Sequence, residues 1–351
     1  METKNKKIIV APLNWGLGHA TRCIPIINGL LENGFEPILA SDGVALELLK
    51  KEFPKLISFE LPSYSIQYAE KGKNFKWRMI VQLPKIIATI RKERSKINKI
   101  LKAYNFDGII SDNRFGVYSK DLPCVFITHQ LNVLTGNSTW LTSRLHKTII
   151  EKFNECWVPD VEKGQNLSGK LGHSTEISQN VKYIGALSRF EKKVLIIKYD
   201  LMVLLSGPEP QRSILEKKII LELENYPEKV IFIKGIVEKN QTKEEKGNIT
   251  FYNFMTSQEL ENALNESKYV LCRSGYTSVM DLAKLNKKAF FIPTPGQFEQ
   301  EYLAKKFQEE KTIPMCNQED FTIEKLSEID SYQGFKTSTT ETNWNELFKL
   351  F

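Results

Sequence analysis

The stretch YVLCRSGYTSVMDLAKLNKKAFFIPTPGQFEQEYLA, residues 269–304, decides the fold. An apolar run at 269–272 ends in a polar turn at 273–275, and a helical pattern with apolar residues three positions apart follows. A second apolar run at 289–292 ends in the Pro/Gly turn at 293–296, which leads into another helical pattern. Strand, loop and helix therefore occur twice in succession, which predicts half of a nucleotide-binding α/β layer with a parallel sheet.

The first turn of this stretch suits a phosphate group, because N–H groups at a helix start lack intrahelical partners and carry the positive end of the helix dipole. Gly275 lets the backbone approach a ligand closely, and Ser274 and Ser278 add hydroxyl groups. Asp281 falls about one turn inside the helix, where its carboxylate could accept hydrogen bonds from two ribose hydroxyls. Gln300 starts the next helix and is placed to hydrogen-bond a sugar ring. An ordinary strand-to-helix turn with a capping serine would show the same residues, since short glycine motifs have many false positives.

The order of these residues resembles the donor-binding segment of glycosyltransferase family 28, whose best-known member adds N-acetylglucosamine to the lipid-linked precursor of peptidoglycan. In that family the segment reads roughly R-[SA]-G-x-x-T-x-x-E, then P-x-P, then H-Q. The corresponding residues here are Arg273, Ser274, Gly275, Ser278, Asp281, Pro293, Pro295, Glu299 and Gln300. Ser, Asp and Glu thus stand where the family has Thr, Glu and His. The resemblance implies the GT-B fold, an α/β architecture of two Rossmann-like domains with parallel sheets facing across a cleft.

The bulk composition is typical of a soluble globular protein with two α/β domains: 351 residues, 41% hydrophobic and 26% charged. No apolar run approaches the length that spans a bilayer, and the apolar segment behind the basic N-terminus predicts a core strand rather than a signal peptide. The five cysteines show no metal-ligand spacing, which indicates reduced core residues and a cytoplasmic location. The net charge of +7 fits anionic partners such as sugar nucleotides or lipid surfaces, and no nucleic-acid-binding motif is present.

A glycine-containing loop lies between the first apolar strand, residues 6–12, and the first helical pattern. Such a loop is the usual place for a ligand in an open α/β sheet, so Gly16 and Gly18 are expected to bind the donor. Gly16 and Gly18 are spaced G-x-G without the third glycine of a dinucleotide fingerprint, so a nicotinamide cofactor is poorly supported. His19 lies at the helix start and is expected to face the cleft, either as a capping or packing residue or close to the reacting sugar.

Residues 71–102 contain eleven basic side chains and one acidic side chain, with apolar residues interleaved. A long helix with one buried and one solvated face explains this pattern, and so does a patch that lies on an anionic membrane surface. The membrane interpretation is favoured before Pro84, where Trp77, Arg78 and Met79 would contact the membrane. The ordinary helix is favoured after it.

Further blocks extend the resemblance to both halves of the chain. The segment ITHQLNVLTGNSTWL at 127–141 corresponds to H-E-Q-N-x-x-x-G on the acceptor side of the family, and His129 and Asn132 match. A polar turn that caps a helix is the alternative for these side chains. Arg189 matches the last residue of the family's G-N-P-V-R at the interdomain linker, and Gly207 lies where the family has G-G-S. The resemblance therefore places Arg189 and Gly207 with the donor.

The domain boundary is predicted near Phe190. Residues 1–189 are expected to form an acceptor-side Rossmann-like domain, and residues 190–330 a nucleotide-sugar-binding domain. Residues 331–351 are expected to end in a helix that packs back on the first domain.

Together the motifs predict an inverting, metal-independent glycosyltransferase that moves a hexose or N-acetylhexosamine from a UDP-sugar to a lipid-linked or glycan acceptor. Helix N-termini, Arg189 and hydroxyl groups would neutralise the leaving diphosphate, so no metal or other cofactor is expected, and no D-x-D motif occurs. His19 is the first candidate to deprotonate the acceptor and His129 the second. Inversion is implied by the resemblance, and the expected location is the cytoplasm, at the inner face of the membrane.

Two other classes of protein stay open. One is a UDP-sugar hydrolase or 2-epimerase on the same fold. The other is a non-catalytic subunit that binds a sugar nucleotide. A hydrolase would release sugar without an acceptor, and an epimerase would need acid and base carboxylates in the donor pocket.

Overall fold

The computed structural model describes residues 5–64, 75–132, 146–173, 180–335 and 342–351, with the backbone alone described at 75–83. The chain divides into two compact units between Leu187 and Ser188. The first unit holds most of the described residues up to Leu187 together with the C-terminal residues from 342 onward. The second unit holds the described residues from Ser188 to 335.

A sheet of seven parallel strands forms the centre of the first unit. The strands are β1 (Lys7–Pro12), β2 (Glu36–Ser41), β3 (Ser58–Glu60), β4 (Gly108–Asp112), β5 (Cys124–Ile127), β6 (Glu155–Val158) and β7 (Val181–Tyr183). Their order across the sheet is β3-β2-β1-β4-β5-β6-β7, so the direction of strand addition reverses between β1 and β4. Every residue of β4 and β5 is buried, as is typical of a parallel sheet covered on both faces.

The sequence did not predict β7, which follows β6 and pairs with it at the edge of the sheet. The three residues of β7 read VKY and are half-buried or exposed. So short a segment has no apolar run to indicate a strand.

The helices of the first unit include α1 (Gly18–Glu32), α2 (Gly43–Glu52) and α3 (Phe75–Ala103). A single helix, α3, spans both parts of the basic segment, with Pro84 inside it. Trp77, Arg78 and Met79 lie in the part of α3 whose side chains are outside the described residues, so the membrane patch stays a prediction.

The acidic residue of the basic segment, Glu93, is fully buried and anchors α3. Its carboxylate accepts hydrogen bonds from Tyr64 Oη at 2.7 Å, from the backbone N–H of Gly116 at 2.7 Å and from Arg114 Nε at 2.6 Å. Arg114 is equally buried and also donates to Asp42 Oδ1 at 2.8 Å. A buried ion-pair network therefore joins α3 to the loops that follow β2 and β4.

A sheet of six strands forms the centre of the second unit. The strands are β8 (Tyr199–Leu204), β9 (Val230–Ile233), β10 (Lys243–Lys246), β11 (Ile249–Tyr252), β12 (Ser267–Cys272) and β13 (Lys288–Phe291). Their order is β10-β11-β9-β8-β12-β13, and strand addition reverses between β8 and β12. All pairs are parallel except β10 with β11. The sequence did not predict β10, whose residues KEEK are all exposed and carry no apolar pattern.

Helices follow the parallel strands of this sheet. They are α4 (Gln211–Glu222), α5 (Ser257–Asn265), α6 (Tyr276–Leu285) and α7 (Phe298–Glu309). The predicted alternation within residues 269–304 is confirmed as β12, α6, β13 and α7. Two 3₁₀ helices, Gln318–Asp320 and Ile323–Ser331, come after α7.

A short C-terminal helix, Trp344–Leu347, belongs to the first unit. The ring of Trp344 lies so close to Gly29 of α1 that a Cβ added there would be 2.8 Å from it. Trp344 also stacks on Phe348, whose ring contacts Phe35 at a centroid distance of 5.5 Å.

Candidate active site

The carboxyl ends of β1 and β4 carry a cluster of polar side chains, at the place where open α/β sheets bind ligands. Gly16, with φ +77°, lies in the loop after β1, and Gly18 is the first residue of α1. His19 follows in the first turn of that helix. Asp112 is the last residue of β4. The pairing of β1 with β4 therefore brings together His19 and Asp112, which are 93 positions apart in the sequence.

Asp112 is the centre of this cluster and is fully buried. Its carboxylate accepts hydrogen bonds from His19 Nδ1 at 2.9 Å and from Arg22 Nε at 2.5 Å, and a further one from Arg22 Nη2. Burial alone would raise the pKa of Asp112, but Arg22 and His19 outweigh it and hold the pKa well below its usual range. The Nδ1 atom of His19 therefore faces a carboxylate that stays ionised.

His19 is held as a neutral imidazole by its surroundings. Burial and the charge of Arg22 lower the pKa of His19, and Asp112 opposes them only in part. Nδ1 of His19 lies 2.9 Å from both Asp112 Oδ1 and Arg22 Nη2. We assign the Nδ1–H tautomer because the ionised carboxylate of Asp112 can only accept a hydrogen bond, and this tautomer leaves the basic lone pair on Nε2.

His129, the second predicted base, lies beside the same arginine. Its Nδ1 is 3.0 Å from Arg22 Nη1, and the side chain is buried. The sequence analysis named both histidines as candidates but did not name Arg22 or Asp112. The available signals were the three-residue spacing of His19 and Arg22 on one helix face, and a carboxylate at the end of an apolar strand.

Asn132, predicted on the acceptor side, uses its side chain to hold a neighbouring loop. Its Nδ2 donates to the carbonyl oxygens of Lys170 at 2.7 Å and His173 at 3.0 Å. A contact with the acceptor stays a prediction, and the rest of this block, at 133–145, lies outside the described residues.

In the second unit, the helices α4 and α6 begin after β8 and β12, the two strands between which strand addition reverses. The loop after β8 contains Gly207, with φ +100°, and leads into α4. The loop after β12 ends at Gly275, the N-cap of α6. Apart from Gly275 itself and its two neighbours in the chain, no heavy atom of the described residues lies within 4 Å of the position that a Cβ of Gly275 would take. The first turn of α6, which includes the half-buried Ser278, therefore has open space in front of it, as an anion site requires.

The predicted donor ligands Arg273 and Ser274 use their hydrogen-bonding groups inside the protein. Arg273 is 1% exposed and donates to the carbonyl oxygens of Ile292 at 3.1 Å, Pro293 at 3.0 Å and Gln211 at 2.9 Å, and to a side-chain oxygen of Gln318 at 2.6 Å. Ser274 Oγ donates to the carbonyl oxygen of Gln300 at 2.8 Å. These two side chains hold the loops after β8, β12 and β13 together.

Gln300 also fixes its own loop, because its Oε1 accepts a hydrogen bond from the backbone N–H of Thr294 at 2.8 Å. Its backbone N–H donates to the capping side chain of Gln297 at 2.8 Å. The predicted contact of Gln300 with a sugar ring stays a prediction.

Asp281 and Arg189 lie close to one another in the second unit. Asp281 accepts a hydrogen bond from Ser188 Oγ at 2.6 Å. Burial raises the pKa of Asp281 to about 6, although Arg189 and Ser188 oppose the shift. Arg189 Nη1 donates to Ser257 Oγ at 2.8 Å. The roles predicted for Asp281, with ribose, and Arg189, with the diphosphate, stay predictions.

Within the described part of the chain, no three His, Cys, Asp or Glu side chains are grouped so that they could hold a metal ion. Of the described helices, none combines the length and the apolar character needed to cross a bilayer.

Comparison with known proteins finds glycosyltransferases that are similar to this chain. Residues 211–338 match the sequence model of the glycosyltransferase family 28 C-terminal domain. Over 341 residues the chain is 22% identical to a UDP-N-acetylglucosamine–N-acetylmuramyl-(pentapeptide) pyrophosphoryl-undecaprenol N-acetylglucosamine transferase of Haemophilus ducreyi, covering 93% of this chain and 89% of the relative. An uncharacterized glycosyltransferase of Methanosarcina mazei is 22% identical over 330 residues, covering 87% and 84%.

Solved structures of glycosyltransferases share the fold. MurG of Acinetobacter baumannii superposes with a TM-score of 0.55 at 12% identity, over 98% of this chain and 93% of that one. The spinosyn rhamnosyltransferase SpnG complexed with thymidine diphosphate gives a TM-score of 0.62 at 11% identity, over 98% and 95%.

The two Rossmann-like units share the GT-B fold with these solved glycosyltransferases. Residues 211–338 match the C-terminal domain of glycosyltransferase family 28. The predicted resemblance to that family, the predicted fold class and the predicted enzyme class are confirmed.

Proposed function

We propose that this enzyme transfers a hexose or N-acetylhexosamine from a UDP-sugar to a hydroxyl group of a lipid-linked or glycan acceptor, with inversion at the anomeric carbon and without a metal ion. The observation that carries the proposal is the 2.9 Å contact between His19 Nδ1 and the buried carboxylate of Asp112. A neutral histidine held by a carboxylate can take a proton from a hydroxyl group. The name of the Haemophilus ducreyi relative supports UDP-N-acetylglucosamine as the first donor to test.

In the proposed step, Nε2 of His19 accepts the proton of the acceptor hydroxyl while the acceptor oxygen forms a bond to the anomeric carbon. The bond between that carbon and the diphosphate oxygen breaks, and UDP leaves with the electron pair. Asp112 stays ionised and stabilises the imidazolium ion that forms. Attack on the face opposite the diphosphate inverts the configuration.

The second unit is proposed to neutralise the charge that develops on the diphosphate. The N-termini of α4 and α6 provide the positive ends of two helix dipoles beside the reversal of strand order. Donors held in place before the reaction stabilise a developing charge without reorganisation. This arrangement supports leaving-group departure without a metal. A lipid-linked acceptor would bring the enzyme to the inner face of the cytoplasmic membrane, where we propose that Trp77, Arg78 and Met79 make contact.

The proposal predicts that UDP is released from a UDP-sugar and that adding an acceptor increases the rate. The test is a UDP-release assay with UDP-N-acetylglucosamine and other UDP-, TDP- and GDP-sugars, with and without a bacterial membrane lipid extract and with and without EDTA. We expect release from a UDP-sugar that the extract stimulates and EDTA does not change. Release that no acceptor stimulates would indicate a hydrolase, and conversion of the donor to its 2-epimer an epimerase. Binding of UDP without any turnover would indicate a non-catalytic subunit.

A further inference from the structure

The loop between β13 and α7 contains a buried hydroxyl group that has no partner in the described part of the chain. Thr294 is 2% exposed, and its Oγ1 finds no hydrogen-bond partner among the described residues. Its backbone is fixed, because its N–H donates to Gln300 Oε1 at 2.8 Å and its carbonyl oxygen accepts from Gln297 at 3.1 Å. A buried hydroxyl without a partner destabilises the ligand-free protein, so this position is explained if a ligand supplies the missing acceptor.

The hydroxyl group of Thr294 borders the space beside Gly207. A Cβ added to Gly207 would lie 3.8 Å from Thr294 Oγ1, and apart from Gly207 and its two neighbours no other atom of the described residues comes within 4 Å. Gly207 has φ +100°, a conformation that favours glycine, so the loop keeps this space free of a side chain. The same loop leads into the N-terminus of α4, which is twelve residues long. Thr294 therefore presents a donor to the space beside the loop that leads into α4.

Arg273 joins the loop that contains Thr294 to the start of α4, and it carries a buried positive charge. It donates to the carbonyl oxygen of Gln211, the first residue of α4, and to that of Pro293, which directly precedes Thr294. The four oxygens that it contacts belong to neutral groups, and among the described residues it forms no ion pair. Burial lowers the pKa of Arg273 to about 10. An anion bound between these loops would compensate a charge that the protein leaves without a carboxylate.

We propose that the Thr294 hydroxyl group donates a hydrogen bond to a phosphate of the bound nucleoside diphosphate, in a site formed with the Gly207 loop and the N-terminus of α4. Arg273 is a positioning residue of this site, because its guanidinium holds the two loops without turning to the ligand. The inference rests on the proposed function, since it assigns residues to the diphosphate of the donor. Hydrogen bonds to charged oxygens are stronger than those between neutral groups, so the hydroxyl should contribute measurably to affinity.

The test is Thr294→Val, which keeps the shape of the side chain and removes the hydroxyl group. We expect UDP to bind this variant roughly 10- to 100-fold more weakly than the wild type in isothermal titration calorimetry. Uridine, which has no phosphate, should bind both proteins equally in ligand-observed NMR. The melting temperature of the ligand-free variant should equal or exceed that of the wild type, because an unpaired buried hydroxyl has been removed.

Thr312→Val is the matched control, since Thr312 lies in the same unit and is 3% exposed. It should leave the affinity for UDP unchanged. Wild-type UDP affinity in Thr294→Val, an equal loss of uridine binding, or a lower melting temperature of the ligand-free variant would each overturn the inference while leaving the proposed function intact. A wild-type enzyme that does not bind UDP would overturn both.

Discussion

Replacing His19 with alanine is expected to lower kcat for UDP release from UDP-N-acetylglucosamine by about 10²- to 10⁴-fold, the usual contribution of a general base. The affinity for UDP should stay at the wild-type value, because His19 belongs to the first unit and the nucleotide is proposed to bind the second. Steady-state kinetics with and without the lipid extract, together with calorimetric titration of UDP, measure the two quantities separately.

The same imidazole should set the pH dependence of the wild-type enzyme. Burial and Arg22 lower the pKa of His19 below its ordinary value, and only the deprotonated ring can act as a base. Therefore kcat/KM should rise with pH through that lowered pKa and stay level above it. The rising limb should be absent from the residual activity of His19→Ala.

His173→Ala provides the matched control for this prediction. His173 also lies in the first unit beside an aspartate, with Nε2 3.4 Å from Asp160 Oδ2, and it stacks on Tyr183. We expect its kcat to stay near that of the wild type. Equal losses in the two variants, or full activity of His19→Ala, would remove His19 from the mechanism.

Replacing Glu93 with glutamine is expected to lower the free energy of unfolding by about 3–5 kcal/mol, because it breaks a buried ion pair at one partner. The substitution removes the charge that faces Arg114 and the carboxylate that accepts hydrogen bonds from Tyr64 and Gly116. Urea denaturation followed by circular dichroism measures the change.

Glu47→Gln is the control for this substitution. Glu47 lies 3.6 Å from Lys50, but its side chain is 62% exposed, so the loss should stay within about 0.5 kcal/mol. If Glu93→Gln unfolds at the wild-type urea concentration, the buried network does not anchor α3.

The sequence was most informative where apolar runs alternate with glycine- or proline-containing turns. Residues 269–304 show this alternation twice, and β12, α6, β13 and α7 form there with boundaries close to those predicted. The edge strands β7 and β10 were missed for a physical reason. They are short and largely exposed, and their pairing depends on neighbouring strands rather than on an apolar pattern of their own.

Single residues of the candidate site were also hard to predict where their position depends on strand pairing. His19 was accessible to prediction because it follows a glycine-containing loop at a helix start. Its partner Asp112 was not, because only the pairing of β1 with β4 brings the two side chains together. Arg273 shows that a residue matching a family motif can use its side chain to position loops, and Thr294, inside the same motif, presents the unpaired hydroxyl group.

The central claim is that the second unit holds the nucleotide at the carboxyl ends of β8, β12 and β13. Hydrogen–deuterium exchange of the wild-type enzyme, with and without UDP, tests it most directly because it locates the ligand without knowledge of the sugar or the acceptor. We predict slower exchange in peptides covering residues 205–212, 273–278 and 293–297, and unchanged exchange at residues 13–19. Protection confined to the first unit, or no protection at a UDP concentration that saturates the enzyme in calorimetry, would contradict it.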